Sequence, residues 1–249
     1  MKKYYKSNIL ILIIIVYAIL GCDSDINDSQ IQNPYIKYTY ITTRDGKKLD
    51  FAIVAPETLN NENGNPVLIA FPPGDQTSDE VVWTLDNYLI RQSIQRNWIA
   101  ISPMQMDGKK YFEGAENYIP ELFDWVEDNY SVENSKYHIS GISNGGKSAF
   151  RIAIKFRKRC SSLLVFPGII HSSNEYAMLD SLMGIPVHMY VGEYETQAWI
   201  SVMDSIKTVL DDLGVYNQYI TFPGDGHVIT SLTSKMLFDT LDSFRTNLK

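Results

Sequence analysis

Apolar and polar positions change rhythm along this chain. Short apolar runs rich in β-branched and aromatic residues alternate with longer stretches whose apolar residues recur every three to four positions. These are the periods of strand and helix. Residues 36–55 (IKYTYITTRDGKKLDFAIVA) read as two strands around Asp45-Gly46, a hairpin dipeptide. PVLIAFPP at 66–73 and NWIAISP at 97–103 read as buried strands. Between them, 80–95 has helical spacing at Val82, Leu85, Leu89 and Ile94. Residues 118–130 read as a helix with Pro120 near its start, where a missing N–H is tolerated. KYHISGIS at 136–143 predicts a strand, KSAFRIAIKF at 147–156 a helix, and SSLLVFPGII at 161–170 and IPVHMYVGE at 185–193 two more strands. The clearest helix covers 196–213, with Trp199, Val202, Met203, Ile206, Val209, Leu210 and Leu213 on one face and Gly214 as its stop. A last strand (216–224) and a last helix (228–246, with Leu232, Met236, Leu237, Leu241 and Phe244) complete the order.

Strands alternating with helices predict an α/β fold, a mostly parallel sheet covered on both faces. Ligands of such sheets bind at the carboxyl ends of the strands. The loops to inspect are therefore 72–76, 143–146, 193–196 and 225–227.

The most specific of these is Gly141-Ile142-Ser143-Asn144-Gly145, a G-x-S-x-G sequence with a strand before it and a helix after it. A sharp strand-to-helix turn lifts one hydroxyl above the sheet, and side chains larger than glycine at its flanks clash. The helix then aims its free N–H groups at any oxyanion formed there. A serine hydroxyl needs a base. Of the four histidines, His138 and His188 lie inside strands and read as satisfied strand residues, and His171 follows too early a strand. His227, between the last strand and the last helix, is the candidate base. The base needs a carboxylate that comes between serine and histidine in the chain. Glu195 is the choice, a few residues past its strand, with Glu193 as competitor; Asp225 is too close in sequence to His227 and reads as a turn former. One oxyanion donor is expected from the backbone N–H of Asn144, and a second from the loop after PVLIAFPP.

GISNGG, FPPGDQT, VGEYE and FPGDGH together resemble the α/β-hydrolase superfamily over roughly residues 36–246. Within it they resemble the small lidless serine esterases related to feruloyl and acetyl-xylan esterases and polyhydroxyalkanoate depolymerases. The resemblance implies Ser143 as nucleophile, His227 as base, Glu195 as acid and Asn144 as a backbone donor. The chain departs at Pro72-Pro73, where the family has His-Gly, and in using Glu where Asp is commoner. Proline has no N–H, so the second donor falls to Gly74, with Asp75 the alternative. Residues 170–185 are too short for a cap domain, which implies an open cleft suited to a bulky ester, and the resemblance implies an acylated polysaccharide as that ester. Tyr111, Phe112, Tyr118, Trp83 and Trp199 are candidates for stacking on a sugar or aryl ring, although core or rim packing is the commoner fate of such residues. Two rivals are a non-catalytic surface glycan-binding protein that kept the fold, motivated by Pro72-Pro73, and a serine peptidase.

The first residues are a separate unit. Lys2, Lys3 and Lys6 precede an apolar run, Ile9–Leu20, too short for a comfortable membrane span. This is the layout of a signal peptide, and AILGC resembles a bacterial lipoprotein signal with Cys22 as the lipidated residue. The expected division is residues 1–21 signal, 22–35 polar tether and 36–249 catalytic domain. The expected location is an exported, membrane-anchored protein on the periplasmic face or cell surface. Cys160 then has no disulfide partner and reads as a buried, inert thiol. A net charge of −7 with no basic stripe argues against a nucleic-acid partner. No metal cluster, phosphate loop or dinucleotide fingerprint is present, so no cofactor is expected.

Overall fold

The computed structural model describes residues 35–59 and 62–246. The expected signal peptide, Cys22 and nearly all of the tether lie outside the described residues. Eight strands form one sheet in the order β1-β2-β4-β3-β5-β6-β7-β8. The hairpin of β1 (Lys37–Thr42) and β2 (Lys48–Val54) is antiparallel and sits at one edge. β2 runs antiparallel to β4 (Ile99–Pro103). From there β4, β3 (Val67–Phe71), β5 (Tyr137–Gly141), β6 (Cys160–Val165), β7 (Val187–Gly192) and β8 (Asn217–Phe222) are parallel.

Period-two alternation sorts successive residues of each strand into two cores. Val67, Ile69 and Phe71 of β3 join one, Leu68 and Ala70 the other. Both faces being covered, β3, β4, β5 and β7 are buried along their whole length, which is why β3, and β4 and β7 apart from Ser102 and His188, read as apolar runs. Each large apolar side chain so buried contributes on the order of 1.5–3 kcal/mol. The first core is covered by α3 (Ile119–Asn129), α4 (Asn144–Lys155) and α6 (Gln197–Asp212). The second is covered by α1 (Ser78–Thr84), α2 (Ile90–Arg96) and α7 (Ser234–Thr246). Arg96 of α2 pairs with Asp239 and Asp242 of α7, each at 2.7 Å, and fixes these two helices to one another.

Several boundaries differ from the sequence reading. The helix expected over 80–95 is α1 and α2 joined by a π-helical turn, Leu85–Leu89. The wider turn shifts the helical phase, so that Ile90 and Ser93 take up the buried side held earlier by Val81 and Leu85. β6 ends at Val165 instead of 170: after a last bond to β5, Phe166 N–H to Gly141 O at 3.1 Å, comes Pro167, which has no N–H for the ladder and whose O accepts from Ser143 N–H of the β5–α4 turn. The last helix starts at Ser234 instead of 228, and its inward face carries Phe238 in place of the exposed Met236. In the 170–185 interval stand only α5 (Ser173–Tyr176) and a 3-10 turn, Leu179–Leu182.

The two strand histidines have different environments. His138 Nδ1 is 2.7 Å from Ser162 Oγ, as a satisfied core histidine should be. His188 is not satisfied: both ring nitrogens are buried without a hydrogen-bond partner, against Phe244 and Tyr190. Burial lowers the pKa of His138 to about 3 and of His188 to about 4. Burial raises the Cys160 thiol to about 12, which keeps it protonated and unreactive.

Histidine in an unfolded chain titrates near ~6.5, above both folded values. The unfolded state therefore binds more protons below that pH, so these two residues' stabilising contribution is full above it and is lost as pH falls toward 4. Melting temperature is expected to drop steadily on acidification through this window. His188→Leu, which removes two unpaired polar atoms without changing bulk, should keep the neutral-pH melting temperature and flatten the slope. An unchanged slope in that variant would show that His188 does not titrate with unfolding.

Candidate active site

The nucleophile turn is made by contact between backbones. Ser143 adopts φ 56° and ψ −116°, a region side-chain-bearing residues seldom occupy. A Cβ on Gly145 would lie 2.0 Å from Phe71 O, and one on Gly141 would lie 2.0 Å from Gly145 O. Those contacts are shorter than any atom pair tolerates, so the turn can press against the end of β3 only with glycine at both places. Ser143 N–H donates to Pro167 O at 2.8 Å and Ile142 N–H to Phe71 O at 3.3 Å, which ties the turn to the ends of both neighbouring strands.

The structure brings Ser143, His227 and Glu195 into one hydrogen-bonded chain. Ser143 Oγ is 2.7 Å from His227 Nε2, and His227 Nδ1 is 2.5 Å from Glu195 Oε2. A carboxylate only accepts, so Nδ1 carries the hydrogen and Nε2 is left to accept from the Ser143 hydroxyl. The Glu195 side chain is 1% exposed, and its other oxygen accepts from Thr196 N–H at 2.6 Å. Glu195 is thereby held without rotational freedom in a site where its attraction to an imidazolium is little screened.

Glu193 has a different job. Its carboxylate accepts from Gly224 N–H at 2.8 Å, bracing the loop that carries His227. Asp225 braces the same loop from the other end, accepting from Thr230 N–H at 3.1 Å, Thr230 Oγ1 at 2.6 Å and Ser231 N–H at 3.0 Å. These bonds hold 228–233 out of helical conformation, which is why α7 starts late. Hydrogen bonding draws the Asp225 pKa below the usual carboxylate range, the Thr230 hydroxyl contributing most.

Asn144 is the first residue of α4, and the N–H groups of a helix's first turn have no intrahelical partner. Its side chain donates to Gly74 O at 2.9 Å, which ties the 72–76 loop to the nucleophile helix. That loop is a tight turn closed by Gln76 N–H to Pro73 O at 3.1 Å, with Gly74 at φ +59°. The Asp75 carboxylate is 3.1 Å from Lys110 Nζ, so its charge is met by an ammonium.

Sequence reasoning missed three supports. Gln76 is fully buried at φ 60°; its amide donates to Ser148 Oγ at 3.0 Å and accepts from Tyr111 N–H at 3.2 Å. Arg151 of α4 is held between Glu116, at 2.9 Å, and Glu175, which also caps the 171–172 backbone. Lys147 is packed between Phe112 and Trp199. Gln76 lies within FPPGDQT, but nothing in that stretch shows its buried bonds, and Arg151 and Lys147 carry no motif, since each of the three acts through partners far away in the chain.

Of the candidate aromatics, Trp199 meets the His227 ring edge-on at 5.0 Å, and Phe112 lies 4.7 Å from the His171 ring. Tyr111 is in the core with its hydroxyl on Met104 O, Tyr118 bonds Asp45, and Trp83 packs against Tyr88.

A model of the Esterase family matches residues 33–209. No curated protein matches the chain. Among solved structures, an S-formylglutathione hydrolase from Agrobacterium tumefaciens is 12% identical with a TM-score of 0.67, covering 86% of this chain and 95% of that one. A ferulic acid esterase is 15% identical with a TM-score of 0.64, covering 84% and 96%. A thermostable esterase is 14% identical with a TM-score of 0.60; 76% of this chain matches, spanning only 55% of that one. At such identities the likeness is one of fold, and the fold is that of the α/β-hydrolases, with no cap domain among the described residues. The family model spans well over half of the chain and includes the turn at Ser143, and the protein belongs to the Esterase family.

Proposed function

We propose that the protein is a serine esterase in which Ser143 is the nucleophile, His227 the general base and acid, and Glu195 the carboxylate that orients the base. The observation that carries this reading is the unbroken Ser143–His227–Glu195 hydrogen-bond chain at the carboxyl edge of the sheet. Ser143 Oγ attacks the ester carbonyl carbon as its proton passes to His227 Nε2. The oxyanion of the tetrahedral intermediate meets the N–H groups of Asn144 and Gly74; one such donor is worth roughly 10²–10³ in rate. The intermediate collapses, the carbon–oxygen bond to the alcohol breaks, and His227 returns the proton to the leaving oxygen. Water then attacks the acyl-Ser143 carbonyl, giving its proton to His227. The bond to Oγ breaks, the carboxylic acid departs, and Ser143 is reprotonated.

Three features support a bulky substrate. The 170–185 segment is short, the half-buried Trp199 packs against His227, and one solved structure of the same fold is a ferulic acid esterase. We take an acylated polysaccharide as the substrate class. The AILGC sequence supports reading the protein as exported, with a lipid on Cys22 and residues 22–35 as tether.

Hydrolysis of 4-nitrophenyl acetate and butyrate tests the chemistry. Ser143→Ala should abolish turnover, and Glu195→Ala should lower kcat by about 10³–10⁴, the scale seen when a triad loses its orienting acid. Glu193→Gln, which removes a loop brace and not the orienting acid, should cost far less. A larger loss from Glu193→Gln than from Glu195→Ala would reverse the roles given to them. The anchor has its own test: in the producing cell a clickable fatty acid should label the parent and not Cys22→Ala. Labelling of both or of neither would remove the lipid from the account.

A further inference from the structure

Lys147 lies one helical turn beyond Ser143, its N–H bonded to Ser143 O at 3.2 Å, so the two residues share a side of α4. Its Nζ donates to Asn144 Oδ1 at 3.1 Å. It also sits 5.3 Å from the centre of the Phe112 ring and 5.5 Å from that of Trp199. Since Trp199 itself touches the His227 ring, a single indole separates the ammonium from the base. A cation therefore stands beside the reacting centre, between two aromatic walls.

Several lysines of the described residues are matched to carboxylates (Lys47 to Asp107, Lys48 to Asp50, Lys110 to Asp75, Lys155 to Glu116, Lys207 to Asp211 and Lys235 to Asp239), while Lys37, Lys109, Lys136 and Lys158, none of them beside the reacting serine, have no such pair. Among the described residues no carboxylate oxygen lies within 4.0 Å of Lys147 Nζ. The charged groups that bear on it are Glu113 and Lys110, whose effects oppose one another. Glu113 is engaged by Lys110 through both its backbone N–H, at 3.1 Å, and its Nζ, at 3.6 Å. Burial pulls the Lys147 pKa downward, a sign that the ammonium gives up hydration that the ring faces and one amide oxygen restore only in part. An ammonium has three donors; with one given to Asn144 Oδ1, a carboxylate in the cleft would take the others in charge-assisted bonds.

We propose that Lys147 is a recognition site for a carboxylate on the substrate, so that the preferred ester bears an acid group a short spacer from the scissile bond. The carboxylate can belong to the acyl part, as in a half-ester of a dicarboxylic acid, or to the alcohol, as in an ester of a hydroxy acid or uronic acid. The half-buried Trp199 supplies an apolar wall for the spacer in either case. This inference rests on the serine-esterase reading of the same site and specifies its substrate.

Two matched pairs separate the sources. The 4-nitrophenyl half-ester of adipic acid and 4-nitrophenyl hexanoate differ only in a terminal carboxylate on the acyl chain. The acetate esters of 4-hydroxybenzoate and 4-methylphenol differ only in a carboxylate on the alcohol. In at least one pair, kcat/KM of the parent should favour the acid. Lys147→Met should lower that acid-to-neutral ratio by about tenfold or more, the weight of one charge-assisted bond, chiefly through KM. Lys147→Arg, which keeps the charge, should retain most of the ratio. The pair that responds identifies the side bearing the acid. Turnover with the same ratios in the parent and Lys147→Met would overturn the inference and leave the esterase standing. No turnover of any of the four esters by the parent would overturn the esterase reading, and this inference with it.

Discussion

The site depends on how closely the turn at Ser143 approaches the end of β3. Gly145 lies against Phe71 O with no room for a methyl group, and Gly141 lies against Gly145 O. That contact forces Ser143 into a left-handed conformation, lifts its hydroxyl above the sheet, and starts α4 at Asn144 with its N–H groups facing the same space. The same approach brings the 72–76 loop next to Asn144, whose side chain then bonds Gly74 O. Nucleophile, helix terminus and second loop thus occupy one small volume because two residues lack side chains. A strained residue persists only where its surroundings over-determine it, and here bonds to Pro167 O and Phe71 O do so.

The partners of Ser143 are held by the same economy of short contacts. The acid loop and the histidine loop interlock: Tyr194 N–H donates to Asp225 O at 2.8 Å, and Gly224 N–H to Glu193. Asp225 fastens 230–231, so His227 projects from a loop fixed at both ends. Gln76 and the Glu116–Arg151–Glu175 cluster do the same for the face of α4 beside the cleft. Rigid placement of a base and its acid is the principal way a fold lowers the cost of proton transfer during acyl transfer.

What could be read in the sequence followed the range of the interactions. Strand and helix periods exposed the alternating order, because burial on both faces leaves β3 apolar throughout and β7 apolar but for His188. G-x-S-x-G was legible because its glycines answer a local steric demand. The late start of α7 was not, since it comes from Asp225 bonding residues beyond His227, a side-chain choice without periodicity. Between Glu193 and Glu195 the sequence offered only distance from a strand end. The structure distinguishes them by which carboxylate meets Gly224 N–H and which meets His227. Lys147 opens the stretch read as a helix and carries no signal of its own; only the folding of Phe112, from a loop, and Trp199, from α6, around it gives it a distinct place. His188 looked like a satisfied strand histidine because sequence cannot show that its neighbours are rings without acceptors.

The central claim is that the His227–Glu195 pair makes Ser143 a nucleophile. The most direct measurement is the reaction of the intact protein with a fluorophosphonate probe, followed by mass analysis of its peptides. The account predicts one adduct per chain, on Ser143, forming orders of magnitude more slowly in His227→Ala. No adduct on the folded parent, or an adduct at another residue with Ser143 unmodified, would contradict it.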